Sequence, residues 1–297
     1  MTDVIILTCD SFIDPQEEST YVRNALLEDQ LVTKELTRRG LSVKKVAWSD
    51  PHFDWTSSRY ALFRTTWDYA ENFNEFADWL MASSMKTRFI NSYDLISWNL
   101  DKHYMDDLKN AGLNIVETCF IEPKDPRTLK EIHKETGWTD TVLKPCVSAS
   151  AKDTFRLSPE TIDAHEGIFS ELIANESMML QPFQTSVIDR GEISLMLIDG
   201  AYTHAVIKKA KEGDFRVQDD FGGTVDDYEP SKEEIDLALK TVNSYDSVPL
   251  YARVDIINDN HGNPAVTELE LIEPEMWFRK NQKSVDALGR AVSKLFS

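Results

Sequence analysis

The chain has 297 residues, of which 41% are hydrophobic and 28% are charged, and its formal net charge is −19. These proportions are ordinary for a globular protein and exclude the disordered, collagen-like and membrane-embedded classes. The length allows two or three packed subdomains. Binding to nucleic acid or to an anionic membrane needs clustered lysine and arginine, so the acidic balance argues against both kinds of partner.

The N-terminal residues and the cysteines both bear on where the protein acts. Residues 1–8 include an acidic residue, no basic segment and only a short apolar run, unlike a signal peptide or a membrane span. We therefore expect a cytoplasmic protein. Cys9, Cys119 and Cys146 lie far apart and form no CxxC motif, so the sequence indicates neither a disulfide framework nor a structural zinc site.

The first third of the chain alternates between strand and helix patterns. A helical pattern over residues 22–39 ends at Gly40, and aromatic residues and leucine recur at helical spacing over residues 69–80. The strand candidates around them are residues 4–8, 41–48, 59–65 and 89–90. Strand and helix in alternation predict an α/β domain with a parallel sheet.

The rest of the chain is richer in strands. Residues 99–109 predict a helix that ends near Gly112, and residues 284–295 predict a final helix. Asp199-Gly200 has the composition of a hairpin turn between two strands. The strand candidates are residues 115–120, 141–145, 179–183, 192–198, 202–208, 250–258 and 265–271. The closely spaced strands after residue 178 predict an antiparallel sheet.

Three acidic residues are expected to converge near the C-terminus. Glu268 and Glu270 lie two apart on one predicted strand and therefore face the same side, and a paired neighbouring strand can place Asp255 beside them. Crowded carboxylates repel one another unless a cation compensates, and Mg²⁺ binds carboxylate and phosphate oxygens together. The pattern indicates a metal site, and a solvated acidic face of an edge strand is the alternative interpretation.

A lysine and a run of small residues follow the strand at residues 141–145. Lys144 ends this apolar strand, where an ammonium group needs an anionic partner such as a polyphosphate. The small residues that follow, Ser148 and Ser150 among them, can approach a ligand with their backbone N–H groups. No GxxxxGK[ST] motif is present, and a simple surface loop is the alternative for this segment.

Two further segments carry candidate ligand-binding residues. Gln181 and Phe183 end an apolar strand at a proline, an edge that can face a purine. Arg216 precedes Gly222-Gly223, and a cation beside a permissive backbone suits a phosphate or an acyl phosphate. A solvated arginine beside a turn is the alternative for the second segment.

In this order the motifs resemble the ATP-grasp superfamily, especially its glutathione-synthetase-like branch. The family has a helical lysine before its lid, similar to Lys102, and an Asp followed by Glu-x-Asn, similar to Asp255 and Glu268-Leu-Glu270. Its strand lysine, adenine hinge and arginine before Gly-Gly are similar to the segments at Lys144, Gln181 to Phe183 and Arg216. The chain departs from the family in two places: the lid loop at residues 146–154 has no glycine, and Glu270 stands where Asn is common.

The resemblance implies an ATP-grasp fold of three parts. These are an N-terminal Rossmann-like pre-ATP-grasp domain over residues 1–98, a lid subdomain with its connecting segment over residues 99–182, and a C-terminal antiparallel-sheet subdomain over residues 183–297. It also implies a Mg-ATP-dependent ligase that joins a small carboxylate substrate to an amine through an acyl phosphate, with Mn²⁺ as the alternative ion. A phosphotransferase and a non-catalytic nucleotide-binding protein remain alternatives, and the sequence permits a homodimer.

The resemblance also assigns roles to individual residues. Lys144 and Arg216 are the catalytic candidates. ATP is expected to contact Lys102, Lys144, Ser148, Ser150, Gln181, Phe183, Lys208 and Arg216, and the metal is expected to be bound by Asp255, Glu268 and Glu270. His204 lies four residues from Lys208 and shares its strand face, although a histidine in a strand is more often structural.

Residues 63–69 supply the candidates for substrate recognition. They follow the third N-terminal strand, at the edge where open α/β sheets bind ligands. The candidates are Arg64, Trp67, Asp68 and Tyr69, with aromatic packing as the alternative role for Trp67 and Tyr69. The segment also resembles ligases of amino-acid-derived metabolites, such as the cyclo-ligases that form cycloserine.

Overall fold

The computed structural model describes residues 1–16, 19–148, 152–211, 213–217 and 222–297. The described residues form three β-sheets, and each sheet packs against helices. One sheet is N-terminal and parallel, one belongs to the middle of the chain, and one is C-terminal and antiparallel. The α/β character and the antiparallel strands after residue 178 are as the sequence predicts. The predicted grouping is wrong in one respect, because residues 178–182 pair within the middle sheet and not with residues 192–198.

The N-terminal sheet has the strand order β2-β1-β3-β4 and is parallel throughout. Its strands are β1 Thr2–Thr8, β2 Val43–Ala47, β3 Ser58–Thr65 and β4 Arg88–Ile90, and its helices are α1 Thr20–Arg38 and α2 Phe73–Ser84. Alternate residues of β1 enter two different cores, Val4 and Ile6 on one side and Ile5 and Leu7 on the other. Burial on both faces is typical of parallel sheets, and it explains the continuous apolar run at the start of the sequence.

Two short helices connect this sheet to the rest of the chain, α3 Tyr93–Asn99 and α4 Tyr104–Asn110. The prediction of one continuous helix over residues 99–109 is wrong, because Lys102 lies in a turn between them. The Asn99 side chain donates to the Leu269 carbonyl and accepts the N–H of Leu271. Asp101 accepts the N–H of His103. Such bonds from side chain to backbone compete with helix continuation.

The middle sheet has the strand order β5-β8-β6-β7 and is antiparallel. Its strands are β5 Cys119–Ile121, β6 Thr141–Pro145, β7 Phe155–Leu157 and β8 Met178–Pro182, and its helices are α5 Leu129–Thr136 and α6 Ile162–Ile173. The predicted strand at residues 115–120 is shorter than expected and starts at Cys119, while Ile115 forms an isolated bridge with Val266. The sequence patterns did not predict α5, β7 or α6.

The C-terminal sheet has the strand order β11-β10-β9-β12-β13 and is antiparallel. Its strands are β9 Glu192–Ile198, β10 Ala201–Lys209, β11 Thr224–Tyr228, β12 Tyr251–Asn258 and β13 Pro264–Glu270. The helices are α7 Ser186–Asp189, α8 Lys232–Val242 and α9 Gln282–Lys294. Asp199 and Gly200 both have positive φ, 52° and 74°, as a type I′ hairpin turn requires.

Helix α9, near the C-terminus, packs against the N-terminal sheet. Val285 and Leu288 of α9 lie in the same core cluster as Val4 and Ile6 of β1, and α9 also packs on α1. The N-terminal and C-terminal sheets therefore share one apolar core. The division of the chain at residues 98 and 182 stays a prediction. Within the described residues, no helix is long and apolar enough to cross a membrane.

Candidate active site

A cavity of about 270 Å³ is lined by residues of the middle sheet, the C-terminal sheet and the segment after β3. Most of the residues predicted to bind ligands line it. They are Trp67, Tyr69, Lys102, Lys144, Ser148, Gln181, Phe183, Lys208, Arg216, Asp255, Glu268 and Glu270. Ser150 lies outside the described residues, and Arg64 and Asp68 do not line the cavity.

Three carboxylates converge on one wall of this cavity. Asp255 on β12 is paired directly with Glu268 on β13, and Glu270 follows two residues later. One carboxylate oxygen of each residue lies within 4.8 Å of the other two. A set of three carboxylates is the donor chemistry that a hard divalent cation such as Mg²⁺ prefers, so these residues fit a metal ion.

Two cations of the triad's surroundings form ion pairs with Asp255. Lys208 Nζ lies 3.0 Å from Asp255 Oδ2, and Arg253 Nη2 lies 2.9 Å from the same oxygen. Arg253 also forms an ion pair with Glu270. Burial would raise the pKa of Asp255, but Arg253 and Lys208 hold it below its usual range. Asp255 is therefore ionised and ready to bind a cation.

Glu270 is in a different electrostatic position from Asp255. Burial raises its pKa to about 7, because the favourable charge of Arg253 is opposed by Glu268 and Asp255. Without a metal ion Glu270 therefore carries a proton over part of the neutral range. A bound cation would favour the ionised form, which couples metal binding to proton release.

The two lysines at the entrance to the middle sheet have unequal surroundings. Lys102 Nζ lies 3.2 Å from Glu268 Oε1 and donates to the Ser148 carbonyl at 3.0 Å. Lys144 Nζ has neither an ion pair nor a hydrogen bond with any described residue. Burial lowers the pKa of Lys144. The nearby carboxylate of Glu268 opposes this effect. Lys144 is thus a partly buried cation that forms no ion pair or hydrogen bond with a described residue.

Lys208 connects the triad to the neighbouring strand. Its Nζ lies 2.5 Å from Glu192 Oε1, and the two residues face each other across the β9–β10 pair. Burial would lower the pKa of Lys208, but Asp255 and Glu192 raise it. His204 lies two strand repeats away, and its Nε2 donates to the Met276 carbonyl. His204 does not line the cavity, which agrees with a structural role.

The candidate adenine hinge lies at the end of β8. Gln181 Nε2 donates to Thr118 Oγ1 at 2.8 Å. The N–H of Phe183 is bonded to the Asp140 carbonyl, and the Arg156 guanidinium stacks 3.7 Å above the centre of the Phe183 ring. Gln181 and Phe183 both line the cavity. The backbone N–H of Phe183 is thus occupied, and its ring is the part that remains available for packing.

Arg216 also lines the cavity. Its Nη2 lies 2.8 Å from Asp214 Oδ2, and the ion pair raises the pKa of Arg216 further above its usual value. Arg216 is partly exposed, and the neighbouring Gly222 has a φ of 84°. A guanidinium at this position can contact an anionic ligand.

The four residues proposed from residues 63–69 separate into two groups. Trp67 and Tyr69 line the cavity, and Trp67 Nε1 donates to the Glu273 carbonyl. Arg64 is buried, donates to the Pro274 carbonyl and lies over the Phe278 ring. Asp68 accepts a hydrogen bond from Trp48 Nε1 at 2.8 Å. The contacts of Arg64 and Asp68 thus hold the segment in place.

Comparison with known proteins places this site in a family. Residues 4–91 match the N-terminal domain of D-cycloserine synthetase DcsG, and residues 128–281 match the RimK-like ATP-grasp domain. The chain is 30% identical over 254 residues to the cycloserine biosynthesis protein DcsG of Streptomyces lavendulae, a match that covers 80% of this chain and 83% of DcsG. The chain belongs to the RimK-like ATP-grasp family.

Solved structures agree with this assignment at the level of the fold. The crystal structure of D-cycloserine synthetase DcsG superposes with a TM-score of 0.86 at 23% identity, covering 99% of this chain and all of that one. D-alanine–D-alanine ligase of Bacillus anthracis in complex with ATP gives a TM-score of 0.66 at 14% identity, covering 99% and 97% of the two chains. The predicted ATP-grasp fold is confirmed.

Membership of the family decides the class of reaction. The chain is an ATP-grasp ligase, which forms C–N bonds with release of ADP. ATP-grasp enzymes bind ATP together with divalent metal ions. The predicted ligase is confirmed, and the matches favour neither a phosphotransferase nor a non-catalytic nucleotide-binding protein.

Arg253, Glu192 and Glu273 are among the cavity residues that were not predicted from the sequence. Arg253 precedes Asp255 by two residues on one strand, so the strand period could have placed it beside the triad. Glu192 meets the triad only through the pairing of β9 with β10, a contact that no local pattern shows. Glu273 follows the last strand and has no strand period to orient it.

A second group of potential ligands lies next to the ATP-grasp site. Atoms of Asp101, His103 and Cys146 lie within 4.8 Å of one another. His103 Nδ1 is hydrogen-bonded to Asp101 Oδ1 at 2.5 Å, and its Nε2 lies 3.1 Å from Glu122 Oε1. The N–H of Lys102 is bonded to the Cys146 carbonyl. These bonds tie the turn that carries Lys102 to the end of β6.

Proposed function

We propose that the protein is a Mg-ATP-dependent ligase of the cytoplasm that joins the carboxylate of a small amino-acid-like or peptide-like substrate to an amine. The observation that supports this proposal most directly is the distribution of charge in the cavity. Three carboxylates suited to a metal ion line the same cavity as a lysine that forms no ion pair, and a partly exposed arginine lines it too. Mg-ATP needs this combination, because a metal ion and cations share its phosphate oxygens.

Lys102 and Lys144 are the proposed contacts to the phosphates. Lys144 forms no ion pair or hydrogen bond with a described residue, so a phosphate would supply direct hydrogen bonds to a partly desolvated ammonium group. Lys102 already bonds to the backbone at Ser148 and can hold the phosphate-binding loop in place. Gln181 and the ring of Phe183 are the proposed contacts to adenine.

Asp255, Glu268 and Glu270 are the proposed ligands of Mg²⁺, with Mn²⁺ as the alternative. When bound, the ion supplies positive charge to the oxygens of the transferring phosphate. The positive charges of Arg253 and Lys208 lie beside the proposed metal position, since both side chains form ion pairs with Asp255. They hold the triad together and keep Asp255 ionised in the absence of the ion.

The chemistry that follows from these positions is carboxylate activation. The carboxylate oxygen of one substrate attacks the γ-phosphorus of ATP, ADP leaves, and an acyl phosphate forms. The amine then attacks the acyl carbon, phosphate leaves, and the amine loses a proton. Arg216 is the proposed stabiliser of the transferring phosphoryl group or of the tetrahedral intermediate, because a guanidinium can contact two oxygens at once.

The relatives suggest the size of the substrates. DcsG is named as a D-cycloserine synthetase, and its N-terminal domain is matched by residues 4–91. This part of the chain carries Trp67 and Tyr69, which line the cavity. We therefore place the amino-acid-like substrate at the aromatic end of the cavity, away from the proposed adenine hinge.

The proposal is tested by ADP release from Mg-ATP in the presence of pooled amino acids and small carboxylates. We expect ADP release that depends on the pool in the parent protein and its loss in Lys144→Ala and Glu268→Gln. Lys130→Ala is the matched control, because Lys130 is exposed and pairs only with Asp163 on the surface. Equal activity of all four proteins would refute the site assignment, and an inactive parent would refute the choice of substrates.

A further inference from the structure

The carboxyl groups that line the cavity are paired with cations, with one exception among the described residues. The pairs are Glu192 with Lys208, Asp255 with Lys208 and Arg253, Glu268 with Lys102, Glu270 with Arg253, and Glu275 with Arg279. Glu273 forms no ion pair with a described residue, and its side chain is bonded only to its own backbone N–H. The exception lies at the substrate end of the proposed active site.

Glu273 is also deeply buried. The residue is 8% exposed, and its remaining surface faces the cavity. Burial raises the pKa of Glu273 well above its usual value, and the charge on Glu270 adds to the effect. Lys102 opposes this shift but forms no ion pair with Glu273. A buried carboxyl without a partner destabilises the folded state. Packing within the protein therefore does not explain why a carboxyl group is found at this position.

The contacts of Glu273 give no structural reason for a carboxyl group. Trp67 Nε1 donates to its backbone carbonyl at 3.0 Å, and glutamine at this position would keep that bond. No described residue donates to the carboxyl group from another position in the chain. The side chain is thus free to accept hydrogen bonds from a ligand.

The surroundings of Glu273 favour a cationic ligand. Trp67, Tyr69 and Tyr21 line the same cavity, and Tyr21 packs against Trp67 with ring centres 5.3 Å apart. Glu273 is the charge that most affects the Tyr69 hydroxyl. A carboxyl group beside aromatic rings is a combination that binds ammonium groups, through an ion pair and through cation–π attraction.

We propose that Glu273 binds an ammonium group of the substrate and so restricts the ligase to amine-bearing substrates. The proposal rests on the function proposed above, since it places the group at the substrate end of that site. The ammonium supplies the cationic partner that Glu273 lacks. A substrate with a hydroxyl or hydrogen in place of the amine would leave the carboxyl group buried and unpaired, which binding sites reject strongly.

The test measures ligand-induced thermal stabilisation of the full chain, so that it does not depend on turnover. The parent protein is first saturated with Mg²⁺ and a non-hydrolysable ATP analogue. It is then titrated either with a pool of amino acids or with a pool of the hydroxy acids that carry the same side chains. We expect the amino-acid pool to raise the Tm and the hydroxy-acid pool to leave it unchanged.

Two variants locate the effect. In Glu273→Gln we expect the half-maximal concentration of the amino-acid pool to rise at least about tenfold, the loss of one charge-assisted bond. Glu171→Gln on α6 is the matched control, since Glu171 is exposed and lies outside the cavity. The Tm of Glu273→Gln without ligand should equal or exceed that of the parent, because a buried carboxyl group that forms no ion pair has been removed.

Three results would overturn the proposal. These are equal stabilisation by both pools, an unchanged response in Glu273→Gln, and no response of the parent to the amino-acid pool. A lower Tm of ligand-free Glu273→Gln would also count against it, because the carboxyl group would then have a structural role. Failure of the ATP analogue itself to stabilise the parent would instead refute the proposed nucleotide site. The two failures are therefore distinguishable.

Discussion

Replacement of Lys144 by methionine tests whether the unpaired lysine is there for the nucleotide. Methionine keeps most of the length of the side chain and removes its charge. The lysine is desolvated and has no partner among the described residues, although the more distant Glu268 offsets part of the penalty. We expect Lys144→Met to raise the free energy of unfolding of the ligand-free protein by about 1 kcal/mol. For a chain of this size that corresponds to about 2 °C in Tm.

The same replacement should weaken nucleotide binding. Loss of a charge-assisted hydrogen bond to a phosphate removes about 1.5–3 kcal/mol, so the Kd for Mg-ATP should rise roughly 10- to 150-fold. The stability should also respond differently to pH. Because the pKa of Lys144 is lowered in the folded state, the unfolded parent binds more protons, and the stability of the parent rises as the pH approaches 10.5. Lys144→Met should lack this increment.

The assays are thermal unfolding with and without Mg-ATP, and calorimetric titration of Mg-ATP. Lys130→Met is the control, because Lys130 is exposed and its surface ion pair with Asp163 contributes about 0–1 kcal/mol. A ligand-free Lys144→Met that is less stable than both the parent and the control would show that the lysine supports the fold. An unchanged Kd for Mg-ATP would show that it does not contact the phosphates. Either result would refute the reasoning.

Three further predictions concern the proposed metal site and the neighbouring strand β10. Asp255→Asn should lower the free energy of unfolding by about 3 kcal/mol or more, because it leaves Lys208 and Arg253 without a shared partner. Urea unfolding measures this change, and an unchanged free energy would mean that these cations are solvated. Mg²⁺ binding at pH 7 should release protons from Glu270, whose pKa is about 7. Calorimetry in buffers of different ionisation enthalpy measures the number of protons released, which should be smaller at pH 8.5. Equal release at both pH values would exclude Glu270 as the source. His204→Gln should lower the Tm without changing ADP release per folded molecule, since His204 bonds to a backbone carbonyl outside the cavity; a loss of turnover at unchanged Tm would contradict this.

The carboxylate triad could be predicted from the sequence because its geometry is local. Strand residues two apart share a face whatever surrounds them, and Asp255 and Glu268 are joined by a short hairpin, so their pairing follows from chain proximity. Lys144 could be predicted for a related reason, since it ends an apolar strand whose limits agree with the structure. In both cases the signal and the contact lie within one pair of adjacent elements.

Residues that the sequence placed less well depend on distant contacts. The helix is interrupted at Lys102. Just before the interruption, the Asn99 side chain forms hydrogen bonds with the backbone of residues 269 and 271, some 170 positions later. Arg64 lies on a strand that is buried on both faces, so no alternation of apolar and polar residues could show that it is directed toward Pro274. Such positions are decided by tertiary packing, which a local pattern does not contain.

Lys144 and Glu273 are a basic and an acidic cavity residue that form no ion pair with a described residue, and both lie near Lys102 and Glu268. Neither group is among the main charges that shift the pKa of the other. The two groups therefore do not stabilise each other, and the stability of the fold gives no reason for keeping both. Each lowers the stability of the empty site and is satisfied by a ligand of opposite charge. Phosphate at one end and ammonium at the other would then orient both ligands toward the carboxylates of Asp255, Glu268 and Glu270. Binding energy that relieves buried charges in this way fixes the direction in which the substrate lies, which is the requirement for attack on the γ-phosphorus.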